Sequence, residues 1–242
     1  MTTTNTSRTV VLIPGHWLGA WAWDEVVDHL EAHHTRAVAM TLPGLDEHDA
    51  DRALKTIDDQ AAAIRDVIAA QGDQPVILVA HSGANVPVSL ILDRHPELVA
   101  RVVWVDSGPV ADGTAFAPEF PAELQDLPLP SFDDLGQQAS IEGLSAEALE
   151  RFRTKSVPQP GPVLRQSVEL TNETRHRIPT TLVCCSISGE QVRQLVKAGH
   201  PMFAEVVNLE SAEVVDLPTG HWPMWSRPRD LAEIIRAASL TN

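Results

Sequence analysis

Cysteine, basic charge and long apolar runs are all scarce in this chain, and each scarcity excludes something. The 242 residues hold only two cysteines, Cys184 and Cys185, adjacent within an apolar run. Neighbouring cysteines close a disulfide only with poor geometry, so both are expected as buried free thiols, and a cytoplasmic setting is the natural default. Lys and Arg number 18 against 33 Asp and Glu, a net charge of −15. That balance argues against nucleic acid or an anionic membrane surface as partner, and it disfavours strongly anionic substrates. No run is long enough to span a bilayer, and residues 1–8 lack the apolar centre of a secretion signal. Core-forming material is plentiful, at 43% hydrophobic residues, enough for one domain with a substantial interior.

Six short apolar or β-branched runs recur: Thr9–Ile13, Ala37–Thr41, Val76–Ala80, Val102–Val105, Thr181–Cys185 and Glu213–Leu217. Several are apolar on consecutive positions, the pattern of strands covered on both faces. Helical patterns alternate with them. Residues 56–71 place Ile57, Ala61, Ile64 and Ile68 on one stripe, and residues 23–33, 84–94 and 229–239 read similarly. Alternation of this kind predicts an α/β fold: a doubly wound, mostly parallel sheet of about six strands with right-handed crossovers.

Residues 107–179 break the rhythm. Half of the chain's 18 prolines fall there, with Phe116, Phe120 and Phe132 scattered among acidic residues. Two helix-like stretches lie inside, at 145–154 and 162–173. The segment is expected as a helical cap inserted above the strand ends, with 1–106 and 180–242 forming the core.

In such sheets ligands gather at the carboxyl ends of the strands, so the chemistry should follow each run. After the third run comes His81-Ser82-Gly83-Ala84. A strand that turns abruptly into a helix forces its turning residue into strained geometry and holds that side chain clear of the sheet. The usual Gly-x-Ser-x-Gly appears here as Ala80-x-Ser82-x-Ala84, still small at both flanking positions. After the fourth run comes Asp106, and after the last Gly220-His221-Trp222. Serine, carboxylate and histidine at strand ends are the set acyl transfer needs: histidine takes the serine proton, and the carboxylate fixes the imidazole.

On these residues the chain resembles the α/β-hydrolase superfamily, in the small esterase-like branch that includes plant methyl esterases and hydroxynitrile lyases. The resemblance rests on Val11-Leu-Ile-Pro-Gly-His-Trp-Leu-Gly-Ala-Trp-Ala-Trp23, Leu42-Pro-Gly44, Val79-Ala-His-Ser-Gly83 and Gly220-His-Trp-Pro-Met224. It implies Ser82 as nucleophile, His221 as base, and the backbone amides of His16 and Gly83 as an oxyanion hole. Position 14 is proline where the family often has histidine. The third triad member also departs from the branch, which usually carries an aspartate after the penultimate strand. Here residues 183–190 read Val-Cys-Cys-Ser-Ile-Ser-Gly-Glu, without one. Asp106 matches the position used by haloalkane dehalogenases and some lactonases on this fold, and Glu190 is the alternative. Asp106 is preferred because it stands directly at a strand end.

Other polar residues read more plainly. His29 and His33 stand four apart on a helix, but no third metal ligand is evident, and Asp46 to Asp51 lack calcium-loop spacing. His81 should point away from Ser82 and pack or hydrogen-bond. Trp17 and Trp222 adjoin the site and are expected at its pocket, with Phe116 and Phe120 in its roof. Pro87 sits mildly against a helix that begins at Gly83. The expected activity is a serine hydrolase, needing no cofactor or metal, that cleaves a neutral, apolar carboxylic ester or lactone through an acyl-enzyme. Two alternatives remain: a lyase or cofactor-free oxygenase on the same fold, and a small-molecule receptor with a vestigial site. Trp222 stands where related hydroxynitrile lyases carry lysine, which counts against cyanohydrin cleavage. A homodimer is left open.

Overall fold

A computed structural model describes residues 8–240. In chain order the elements begin with β1 (Val10–Ile13), α1 (Asp24–Ala32), β2 (Ala37–Ala39), α2 (Ile57–Ala69), β3 (Val76–His81), α3 (Asn85–Arg94) and β4 (Val99–Val105). Next come β5 (Asp126–Leu127), α4 (Phe132–Gln138), α5 (Ala146–Lys155), β6 (Gln159–Pro160) and α6 (Gly161–Arg165). The chain then runs through β7 (Thr180–Cys184), α7 (Gly189–Lys197), β8 (Ala212–Asp216), α8 (Pro223–Ser226) and α9 (Pro228–Leu240).

Each of the six apolar runs forms a strand of one sheet, in the order β2-β1-β3-β4-β7-β8, with every neighbouring pair parallel. Strand side chains alternate between faces, and both faces are covered. Val11, Ile13, Leu78, Ala80, Val102 and Trp104 join the core that includes Ile57, Ala61, Ile64 and Ile68 of α2. Val10, Leu12, Ile77, Val79, Val103 and Val105 join a second core with Val26 and Leu30 of α1 and Leu231 and Ile235 of α9. Double coverage is why these strands are apolar at consecutive positions, and each large aliphatic buried adds about 1.5–3 kcal/mol. The start of α2 is fixed by a reciprocal cap: Asp59 N donates to Thr56 Oγ1 and Thr56 N to Asp59 Oδ2.

The order reverses between β1 and β3. The chain leaves β1 toward one edge of the sheet and returns as β3 on its other side, so the loops after these two strands diverge and leave a crevice. Ser82 and the Gly15-His16-Trp17 loop follow β3 and β1. Pro87 raises no conflict, because a 3₁₀ turn covers Ser82–Ala84 and the α-helix begins only at Asn85. The proline thus sits in the first helical turn, where its missing N–H has no partner to lose.

Between β4 and β7 the structure corrects one helix and adds another. The helix expected over 162–173 ends at Arg165. Beyond it the backbone is held in other pairings: Val168 N donates to Thr114 O, Gly113 N to Val168 O, and Leu170 N to Asp112 Oδ1. Such side-to-side bonding consumes the groups a helix needs for itself. Phe132, read as an isolated aromatic, instead begins α4, which Ser131 caps by accepting from Asp134 N. The 107–179 segment reaches the loops at the strand ends. Val157 N donates to Trp17 O, and His221 N to Ser140 O at 2.7 Å. Both cysteines are buried and free. Among the described residues no helix is long and apolar enough to cross a membrane.

Candidate active site

β3 ends at His81, and Ser82 takes φ +52°, the left-handed region that a non-glycine residue enters at a cost of roughly 1–3 kcal/mol. The apolar strand below and α3 beyond hold it there. Asp106, directly after β4, is at φ +46°, and Trp17, after β1, is at φ +65°. Three of the four non-glycine residues with positive φ among those described therefore lie at these strand ends. The strain at Ser82 was legible in the strand-to-helix turn. At Asp106 and Trp17 no sequence signal announced it.

Ser82 Oγ lies 2.8 Å from His221 Nε2, and His221 Nδ1 lies 2.6 Å from Asp106 Oδ2. With the carboxylate accepting from Nδ1–H, the Nε2 lone pair faces the serine hydroxyl. Asp106 is itself anchored by the loop after β7. Its Oδ1 accepts from Cys185 N (3.0 Å) and Ser186 N (2.8 Å), and its Oδ2 accepts from Ser186 Oγ (2.6 Å). Burial pushes the carboxyl pKa up, but the hydrogen bonds and charge of His221 and the bonds from Ser186 outweigh it. The net position is below the usual aspartate value, so Asp106 is ionised at neutral pH. Glu190 is not brought to His221. It lies exposed on α7, bonded along its own helix to Gln194 at 2.9 Å and Arg193 at 3.5 Å.

His81 turns away from Ser82, as expected, and its Nε2–H donates to the backbone carbonyl of His221 at 2.8 Å. Burial first, then the neighbouring His221, lowers its pKa to about 3, so it is a neutral strut beneath the His221 loop. The loop from β1 reaches the site from the opposite side. A Cβ on Gly15 would come within 2.8 Å of Ser82 Cβ, and one on Gly83 would overlap the His16 imidazole. Only glycines allow these two loops to meet. Their meeting sets the Gly15-His16 loop against the Ser82-Gly83 turn, and neither the His16 nor the Gly83 amide donates to a loop or cap acceptor among the described residues.

The aromatic residues are divided. Trp222 is buried edge-on to the His221 ring at 4.9 Å and packs on Phe152 at 5.4 Å. Trp17 donates its indole N–H to Leu127 O at 2.9 Å, which ties the β1 loop to β5. Phe116 is 52% exposed and stands edge-on to the His16 ring at 4.2 Å. Phe120 is not gathered with them; its ring lies under Arg165 on the 107–179 segment. Of the histidines set aside on α1, His33 points Nδ1 at the His29 carbonyl. No cluster of three metal-ligating side chains occurs among the described residues.

A sequence model of the alpha/beta hydrolase family matches residues 10–234. The chain belongs to that family. Among curated proteins it is similar to Methylesterase 4 of Arabidopsis thaliana, at 30% identity over 143 residues, 57% of this chain and 49% of that protein. Methylesterase 7 of the same plant is 34% identical over 105 residues, 42% of this chain and 40% of that protein. These matches thus span half or less of the relatives' own length. Two solved structures share the fold. An extracellular alpha/beta-hydrolase from a Paenibacillus species superposes with a TM-score of 0.75 at 20% identity, covering 96% of this chain and 98% of that one. The Arabidopsis methylesterase MES16 does so at 0.75 and 17% identity, covering 97% and 100%.

Proposed function

We propose that this α/β-hydrolase is a serine esterase acting on neutral carboxylic esters or lactones through an acyl-enzyme. The observation that carries the reading is the unbroken chain of contacts from Ser82 Oγ through both nitrogens of His221 to Asp106, 2.8 Å and 2.6 Å long. In the first half-reaction Ser82 Oγ attacks the carbonyl carbon while His221 Nε2 takes its proton. Asp106 stabilises the imidazolium, and the amides of His16 and Gly83 hold the oxyanion. His221 then returns the proton to the departing alcohol as the C–O bond breaks. In the second half-reaction water gives a proton to His221 and its oxygen to the acyl carbon, and Ser82 leaves with the proton. In the tetrahedral state each oxyanion donor contributes about 3 kcal/mol.

Similarity to methylesterases supports the ester as substrate. The net charge of −15 supports a neutral one, and residues 107–179, bonded to the loops of Trp17 and His221, serve as the cap that shapes its pocket. Hydrolysis of 4-nitrophenyl acetate and butanoate tests the reading. The native protein is expected to turn over, and Ser82→Ala to lose at least about 1,000-fold in kcat. Undiminished turnover by Ser82→Ala would refute the mechanism.

A further inference from the structure

The chemistry above uses only the backbone amide of His16, yet its side chain occupies a conspicuous place. The residue is 8% exposed. One edge of its imidazole, with Nε2, fills the space that a side chain at position 83 would take. Phe116 stands edge-on against the ring at 4.2 Å, and Trp17 at 5.8 Å. The ring is thus wedged between the serine turn and residue 116 of the overlying segment.

Neither ring nitrogen of His16 has a hydrogen-bond partner among the described residues. The contrast with His176, buried to a similar degree, is direct: both of its nitrogens meet carboxylates, at 3.0 and 2.8 Å. Unlike His81 Nδ1, which is buried without a partner, the His16 nitrogens are not sealed from solvent. A ligand seated against the ring would therefore take the place of water and would have to replace its hydrogen bonds. Burial, and secondarily the charge of His221, lowers its pKa to about 4, so the ring is neutral at neutral pH. A neutral imidazole offers one N–H donor and one lone pair.

We propose that the His16 side chain is the polar contact that selects the acyl part of the substrate, pairing with a hydroxyl on the carbon one or two bonds from the reacting carbonyl. The inference rests on the serine-esterase reading and narrows its substrate to hydroxy esters. A hydroxyl matches the ring because it also both donates and accepts; Phe116 brings it only carbon, and the Trp17 N–H is already given to Leu127 O. A site that leaves a polar group waiting discriminates against the analogue that lacks the matching one.

The test measures how well three esters protect Ser82 from a fluorophosphonate probe: methyl butanoate, methyl 2-hydroxybutanoate and methyl 3-hydroxybutanoate. At least one hydroxy ester is expected to protect at about tenfold lower concentration than methyl butanoate, the equivalent of one hydrogen bond. In His16→Phe and in His16→Ala, each checked for folding by thermal melting, that ratio is expected to fall to about twofold or less. Having both variants guards against a phenylalanine that the Gly83 contact will not admit. Equal protection by all three esters in the native protein, or a preference that survives both substitutions, overturns the inference alone. Failure of the probe to label Ser82 at all overturns the esterase reading and the inference with it.

Discussion

The loops after β4 and β7 emerge from neighbouring parallel strands, and each carries a carboxylate within a few residues of its strand end. Their fates differ. Asp106 comes directly after β4, takes a strained backbone, and is gripped by two amides and a hydroxyl from the other loop. Glu190 comes after Ser188 has already capped α7, in a reciprocal bond with Gln191, so the helix carries its side chain outward. The β7 loop therefore supplies donors to the Asp106 carboxylate and brings no carboxylate of its own to His221. A carboxylate near a strand end is not enough; its backbone must be anchored so that the charge stays where the imidazole needs it.

The largest way to break this comparison is Asp106→Asn. It leaves the shape intact but can present an N–H to His221, and kcat is expected to fall by about 10³–10⁴. Stability against pH sharpens the contrast next. His16 and His81 are held neutral by burial first and then by the neighbouring His221, with pKa values of about 4 and about 3 against an ordinary 6.5. Below 6.5 the unfolded chain binds protons that the folded one refuses. Their stability contribution is therefore full above pH 6.5 and is lost as pH falls toward 4 and 3, at about 1.4 kcal/mol per pH unit for each ring. Urea unfolding between pH 7.5 and 5 is expected to show this slope, and His81→Phe to flatten it. Ser186→Ala removes one of the bonds anchoring Asp106 and is expected to lower kcat about tenfold, with the protein still folded. Glu190→Gln is expected to change kcat by less than about twofold, since only surface contacts are lost. A loss with Glu190→Gln as large as with Asp106→Asn would erase the distinction.

Much of this was readable from the residues. The central strands β1, β3, β4 and β7 are mostly buried on both faces and announced themselves as near-continuous apolar runs. The edge strands β2 and β8 are only partly covered and showed as shorter apolar or β-branched stretches. Together they fix where Ser82, Asp106 and His221 emerge. The preference for Asp106 over Glu190 followed from adjacency to a strand end, and the geometry brings that residue to His221. The 107–179 segment was less legible. Its conformation is set by pairing between distant backbone groups, such as Val168 with Thr114, and local periodicity does not encode that. The helix read over 162–173 stopped early for this reason. Phe120 illustrates the same limit, since an aromatic in an irregular segment can pack on Arg165 as readily as over the site. The place of the His16 ring was hidden too. It depends on the missing side chain of Gly83, a residue 67 positions away that only the fold makes its neighbour.

The most direct measurement is reaction of the native, folded protein with a fluorophosphonate probe, followed by peptide mapping. The account predicts one adduct, on Ser82, that disappears in Ser82→Ala and forms far more slowly in Asp106→Asn. A folded protein that stays unlabelled, or one that reacts at another residue and keeps its label in Ser82→Ala, would contradict it.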